Sequence, residues 1–235
     1  LVTLPDGKQI FVKLGTEEST RKWAKKEVAL YRFLKKQDFT SIPELLATNA
    51  DETAFAIEAL TEQTGWDWSN QWTIERLETT LSAVDELAKI FPEDKEKEIL
   101  TEEVFSQSDD GWGPLAQSED MQELLRGRLR AHNRNDLVDR LDFNKEAQRS
   151  ARFLFRNDVL GHHDIRADNC AWNAKDKRVK LVDWNWAQIG DPRIDISALL
   201  VNVQNSGLDV LPAYRSRLDS DGLHWIAGFL FKSAV

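Results

Sequence analysis

The sequence predicts an α+β fold in two unequal lobes: a small N-terminal antiparallel sheet with one helix over residues 1–60, and a larger, mainly helical lobe over residues 61–235. Three observations predict it. The 235 residues, 41% of them hydrophobic, are enough to bury a sizeable core. Apolar residues follow strand-like patterns up to about residue 60 and recur about every 3.6 residues from Gly65 onward. Between Val159 and Ser197, polar residues crowd between short apolar runs, a placement unlike that of a solvated surface.

Leu1 to Leu4, the Pro5-Asp6-Gly7-Lys8 turn and Ile10 to Leu14 have the pattern of a hairpin. In its second strand Ile10, Val12 and Leu14 share one face, while Phe11 and Lys13 share the other. Ser19 or Thr20 is placed to cap a helix running to about Lys36. At about 100° per residue, Trp23, Leu30, Tyr31 and Leu34 form its apolar arc, and Glu27 falls near the middle. A lone carboxylate against a core is costly, so Glu27 calls for a cation, and Lys13 on the preceding strand is the natural one. Ordinary surface charges are the alternative reading of the pair.

After the Ile42-Pro43 break, Phe55 to Leu60 reads as another strand. Ile74, Leu77, Leu81, Val84 and Ala88 then form one helical stripe. Residues 92–118 are polar, acidic and interrupted by Gly111, Gly113 and Pro114, and read as a loop or insertion around Trp112. A helix from about Glu119 to His132 has acids first and arginines last, matching its dipole, and Asn144 is expected to cap another reaching about Phe155. Cys170 to Asn173 and Val179 to Val182 flank a polar turn and read as a hairpin centred on Asp176. Pairing about that centre sets Asn169 opposite Asp183, about 5 Å apart at Cα, with Asp164 on the entering loop.

The 31 basic against 40 acidic residues give a net charge of −9, which repels a phosphate backbone and argues against nucleic acid as a partner. The nearest basic cluster, Arg126, Arg128, Arg130 and Arg134, sits at a helix end. No run of about 18 apolar residues is present, so no membrane span is expected. Cys170 is the single cysteine and forms no internal disulfide, consistent with a reducing, cytoplasmic setting. The chain starts at Leu1 rather than Met and reads as a fragment whose N-terminus, with any targeting peptide, is absent. Oligomeric state has no signature here.

Two carboxylates and an amide oxygen at a strand end make a hard-oxygen site suited to Mg²⁺. Asx turns capping a hairpin are the plainer reading of the same residues. His162, His163, Asp164 and Cys170 lack the paired spacings of a structural zinc site.

The motifs H-H-D-I-R-A-D-N (162–169), V-D-W (182–184) and G-D-P-R-I-D (190–195) resemble, in order, the H-G-D-x-H-x-x-N, I-D-[WF] and G-D-P-x-x-D motifs of the aminoglycoside phosphotransferase and choline kinase superfamily, small-molecule kinases sharing the protein-kinase fold. F-V-K (11–13) and K-E-V-A-L-Y-R-F-L (26–34) resemble that family's lysine strand and glutamate helix. Four motifs in register, spanning about residues 1–200, make the resemblance specific. It implies that Asp164 is the catalytic base, that Asn169 and Asp183 hold Mg²⁺ on the phosphates of ATP (or GTP), and that Lys13, oriented by Glu27, grips those phosphates. It also implies that the Glu58 carbonyl and Leu60 amide meet the adenine edge, and that His162 and Asp195 brace the catalytic loop.

There are departures. His163 stands for the usual glycine, Arg166 for the later histidine and Asp168 for a frequent glycine, while no G-x-G-x-x-G occurs. Arg166 could supply a cation near the transferring phosphate. The implied partner is a small-molecule hydroxyl acceptor, bound between the catalytic loop and the segment holding Trp66, Trp68, Trp72, Asp109, Asp110 and Trp112. Aromatic faces plus acids suit cationic acceptors such as aminoglycosides, choline-like amines or amino sugars, and core packing is the alternative role of these tryptophans. A nucleotide-binding pseudokinase acting through protein partners is the competing function. D-W-N in place of D-F-G, with no A-P-E, argues against a protein kinase.

Overall fold

Gly7, at φ 84°, turns the chain through the first hairpin and sets β1 (Val2–Thr3) antiparallel to β2 (Gln9–Leu14). The computed structural model describes residues 1–100, 110–154, 156 and 158–235. Helix α1 (Glu18–Lys36) opens with a capping box in which the Glu17 amide donates to Thr20 Oγ1 at 2.9 Å. The cap is therefore Glu17, with Thr20 acting from the first turn, rather than Ser19 or Thr20 in the cap position. Strands β3 (Leu45–Thr48) and β4 (Ala54–Glu58) complete a sheet of order β1-β2-β4-β3. Lys13 lies opposite Phe55 in that sheet, and the rings of Phe55 and Tyr31 meet at 5.9 Å between centroids, so α1 packs on the β4 side chains.

Thr73 caps α2 (Ile74–Leu87) by accepting from the Arg76 amide. Leu77, Leu81 and Val84 of the expected stripe are buried, whereas Ile74 at its end stays exposed. The stretch 92–118 is not the loop that its glycines and proline suggest. Its described parts contain α3 (Asp94–Leu100) and α4 (Trp112–Gln117), while residues 101–109, including Asp109, lie outside the described residues. Tertiary packing overrides the local signal there. The Trp112 indole donates to the His224 carbonyl at 2.8 Å and stacks on the His224 ring, and Pro114 sits in the first turn, where its missing N–H is harmless.

Helices α5 (Glu119–Ala131), α6 (Asn135–Val138) and α7 (Phe143–Ser150) follow. Asp142, not Asn144, caps α7 through the Lys145 amide, because buried Phe143 already belongs to the helix. The helix ends at Ser150, with Ala151 as its C-cap, short of the expected end near Phe155. Two small ladders pair β5 (Val159–Gly161) with β8 (Gln188–Gly190) and β6 (Cys170–Asn173) with β7 (Arg178–Leu181). Helices α8 (Pro192–Asn205) and α9 (Ser220–Ser233) close the larger lobe.

One core runs from Val28 and Leu34 of α1 and Phe55 of β4, through Trp172, Leu181 and Trp184, to Leu199, Leu200 and Val203 of α8. The two lobes therefore share apolar packing. Among the described residues no helix is long and apolar enough to cross a membrane.

Candidate active site

The loop between β5 and β6 is held from three sides. Asp195, buried in the first turn of α8, accepts the His162 amide on Oδ2 at 2.9 Å and the His163 amide on Oδ1 at 2.6 Å. The His162 ring lies 3.0 Å by Nε2 from the Val182 carbonyl, and its Nδ1 is 3.3 Å from the Asp164 amide. One tautomer, protonated on Nε2, satisfies both contacts. Burial pushes His162 down to about 4, so the ring is neutral near pH 7.

His163 has φ 62°, in the left-handed region that favours glycine, which explains the glycine usual at this point of the motif. Its buried ring lies against Gly161 and Gly190, and a Cβ on either would run into it. The side chain gained at 163 is thus accommodated by two flanking positions that have none.

Asn169 Nδ2 donates to the Asp164 carbonyl at 3.0 Å and to its Oδ2 at 2.7 Å, fixing the carboxylate. Burial raises Asp164 to about 6 against the lowering influence of Arg166 and Asn169. Arg166 Nε lies 3.4 Å from Asp164 and 2.9 Å from Asp168, on a half-exposed side chain. Arg76 is a further member of this assembly that sequence reasoning missed. It is fully buried and donates to the carbonyls of Ser69, Gln71, Ala167 and Cys170, with its guanidinium 4.3 Å over the Trp72 ring. Those last two carbonyls flank Asn169, so Arg76 ties α2 to both ends of the turn that carries it. An arginine on a helix ordinarily reads as surface charge, and no spacing marks this one as buried.

Between the lobes lies a cleft of about 570 Å³ lined by Lys13, Glu27, Asn169 and Asp183, together with Trp23, Tyr31, Phe55, Ile57 and Trp68. Lys13 forms ion pairs with Glu27 and, at 2.6 Å, with Asp183. Burial opposes the lysine's charge, but Glu27 and Asp183 overcome it and hold its pKa above the ordinary value. Burial lifts Glu27 to about 7, with Lys13 pulling the other way. The shared proton therefore sits on Lys13, the more basic partner.

The register of the β6–β7 hairpin differs by one from expectation. Asn169 faces Val182, whose amide donates to the Asn169 carbonyl at 3.0 Å, because Asn173 pairs with Arg178 across a four-residue turn. That turn is closed by the Asp176 amide on Asn173 Oδ1, with Lys177 at φ 51°. Asp183 comes one residue later, and its own left-handed backbone, φ 62° and ψ 62°, turns it into the cleft. The nitrogen of Asn169 is committed to Asp164, and Lys13 and Asn185 both donate to Asp183 Oδ1, which leaves the Asn169 amide oxygen and Asp183 Oδ2 as oxygens for a metal ion in the cleft that both residues line. An amide oxygen and a carboxylate oxygen are hard ligands of the kind that would suit Mg²⁺.

Glu58 and Leu60 lie at and beyond the end of β4 and are not among the cleft-lining residues. The Glu58 carboxylate pairs with Lys180, and the Leu60 carbonyl accepts the Trp68 indole at 2.7 Å.

Asp164 opens on a second cavity, of about 490 Å³, beneath the loop. The expected tryptophans are not there. Trp66 lies under Lys180, Trp72 under Arg76 and Trp112 against His224, while Trp68 belongs to the interlobe cleft. Asp110 is buried, at the N-terminal end of α4. Trp66, Trp72 and Trp112 fill core positions, and the described residues that line the cavity include Arg166, Trp186, Ile194, Val201, Asn202, Trp225 and Phe229 instead.

The model of the phosphotransferase enzyme family matches residues 1–229. None of the curated proteins matches this chain. Among solved structures, an aminoglycoside phosphotransferase from Alicyclobacillus acidocaldarius is similar at a TM-score of 0.63 and 14% identity, over 98% of this chain and 75% of that one. The streptomycin-ATP-APH(2")-IIa ternary complex is similar at 0.58 and 18%, over 94% and 77% of the two chains. The choline kinase LicA from Streptococcus pneumoniae follows at 0.57 and 14%, over 97% and 75%. At such identities these likenesses show the fold, a two-lobed, protein-kinase-like one. With the family match running through both lobes and both cavities, this chain belongs to the phosphotransferase enzyme family.

Proposed function

We propose that the chain transfers the γ-phosphoryl group of ATP, or GTP, to a hydroxyl of a small molecule in a Mg²⁺-dependent reaction. The reading divides it into a nucleotide-binding lobe at 1–60 and an acceptor-binding lobe at 61–235, in a cytoplasmic setting. One observation carries it: Asp164 is fixed by an asparagine of the interlobe cleft and opens on the cavity beneath. A hydroxyl in the lower cavity can give its proton to Asp164 as its oxygen attacks the γ-phosphorus. The bond from that phosphorus to the β,γ-bridging oxygen then breaks, and the nucleoside diphosphate leaves with the electron pair.

Lys13, held by Glu27, neutralises phosphate charge. Asn169 and Asp183 would hold Mg²⁺, which when bound offsets the charge on the phosphate oxygens. Arg166, at the rim of the lower cavity, adds a second cation near the transferring group. The Glu58 carbonyl and Leu60 amide are the proposed adenine contacts, at the end of β4. His162 and Asp195 position the loop. Solved neighbours whose names specify an aminoglycoside or choline support a small acceptor.

The test is Mg²⁺-dependent nucleotide consumption against a panel of aminoglycosides, amino alcohols, sugars and nucleosides, with Asp164→Ala alongside. Acceptor-stimulated turnover lost in the variant is the expected result. A thermal shift with Mg-ATP but no turnover on any acceptor would favour a pseudokinase, and no shift at all would remove the nucleotide site.

A further inference from the structure

We infer that Asn185, held by the buried Lys26 of α1, is a positioning residue that aims Asp183 Oδ2 at the metal ion of the nucleotide. This rests on the phosphotransferase reading and adds two residues to the same site. Asp183 and Asn185 both line the interlobe cleft, on either side of Trp184 in sequence. The Trp184 ring is fully buried, with its centroid 4.4 Å from that of His162, and its indole donates to the Leu181 carbonyl at 3.1 Å. That ring pins the turn Trp184–Trp186 to the core. Lys26 pins it to the small lobe: its Nζ donates to the Asn185 carbonyl at 3.1 Å. An ammonium group drawn largely out of water needs fixed acceptors, and this carbonyl is one. Lys26 and Glu27 are neighbours on α1, so the helix that orients Lys13 also holds the turn that follows Asp183.

With the turn held, the Asn185 amide has one orientation that suits Asp183. A carboxylate only accepts, so the group 2.8 Å from Asp183 Oδ1 is Nδ2. Asn185 Oδ1 is then a buried oxygen with no hydrogen-bond partner among the described residues. An unpaired buried acceptor opposes folding, so stability alone does not account for an amide at this position. Lys13 donates to the same Asp183 Oδ1 at 2.6 Å, but it also pairs with Glu27 and, in the proposed reaction, faces the phosphates. Asn185 is committed to Asp183. Being neutral, it fixes the direction of the carboxylate without cancelling the charge that a divalent cation requires.

The probes are ADP, by calorimetry with and without Mg²⁺, and Mn²⁺, by electron paramagnetic resonance in the presence of ADP; neither needs an acceptor or turnover. Asn185→Leu keeps the approximate volume and removes both the donor and the unpaired oxygen. It is expected to weaken Mn²⁺ binding roughly ten- to a hundredfold and to lose most of the Mg²⁺-dependent gain in ADP affinity, with metal-free ADP affinity within about twofold of the parent and the denaturant midpoint nearly unchanged. Lys26→Met keeps the stem, removes the ammonium group and is expected to weaken Mn²⁺ binding in the same direction by a smaller factor. Equal loss of ADP affinity with and without Mg²⁺ in Asn185→Leu, or Mn²⁺ binding equal to that of the parent, overturns the inference and leaves the phosphotransferase reading standing. Parent-like Mn²⁺ binding by folded Lys26→Met overturns the role of Lys26 alone. A parent protein that holds no Mn²⁺ in the presence of ADP overturns the phosphotransferase reading, and the inference with it.

Discussion

The interlobe cleft draws Lys13, Glu27, Asp168 and Asp183 to one surface, whereas the cavity below it is walled, among the described residues, largely by hydrocarbon and aromatic rings with one ionic side chain of each sign. Charge in the upper space must be compensated group by group. Lys13 therefore answers two carboxylates at once, and each partner is fixed in direction. Apolar walls below carry no such bookkeeping, since the hydrophobic effect is non-directional. Under the proposed function, the difference separates the groups that would act on the phosphates from the walls that would select the acceptor.

The loop between the two spaces serves both, so breaking it should give the largest effect. Asp164→Asn removes the proton acceptor while keeping an amide-sized side chain beside Asn169. We expect turnover to fall by roughly 10²- to 10⁴-fold, with nucleotide and acceptor dissociation constants within about twofold of the parent, measured by steady-state kinetics and calorimetry. A fall of less than tenfold would mean that Asp164 is not the group joining the cavities.

The same loop should respond to pH through His162. Its folded pKa of about 4 lies below the ordinary value of 6.5, so between those values the unfolded chain binds the extra proton. Stability is then greatest above pH 6.5 and declines as the pH falls toward 4, by about 3 kcal/mol at most from this one group. Denaturant unfolding at pH 7 and pH 4.5 measures it. The parent should lose more stability over that interval than His162→Asn, which cannot titrate, and equal losses would show that the ring is not held neutral by burial.

The upper space was legible because its groups lie in short motifs whose spacing survives folding. Asp164 and Asn169 are five residues apart on one loop, and Glu27 betrayed itself as an acid on an apolar arc. The one-residue error at Asn169 and Asp183 came from a four-residue turn in which Lys177 adopts a left-handed conformation that its residue type does not announce. The lower space was illegible for a physical reason. Trp225 and Phe229 on α9 come to the cavity on which Asp164 opens only through long-range packing, and aromatic residues at helical spacing look the same whether they fill a core or border a cavity. Trp66, Trp72 and Trp112, expected around the acceptor, proved to be the core fillers. Arg76 was hidden because hydrogen bonds to four backbone carbonyls leave no trace in side-chain pattern.

A crossed pair of substitutions sharpens the contrast between the two spaces. Glu27→Gln keeps the shape of α1 but removes the carboxylate that Lys13 faces, so it acts on the upper space alone. Losing a charged hydrogen bond of about 1.5–3 kcal/mol should raise the KM for nucleotide roughly ten- to a hundredfold and leave the KM for acceptor unchanged. Trp186→Ala acts on the lower space alone, because its ring lines that cavity and is partly exposed, which keeps the cost in stability small. Loss of one aromatic face, worth about 0.5–1.5 kcal/mol, should raise the KM for acceptor by up to roughly tenfold and leave the KM for nucleotide unchanged. If both substitutions moved both constants together, the cavities would be energetically coupled through the loop. The double variant measures this directly: independent spaces give additive free-energy changes, and a coupling term above about 0.5 kcal/mol would make the loop a transmitter between them.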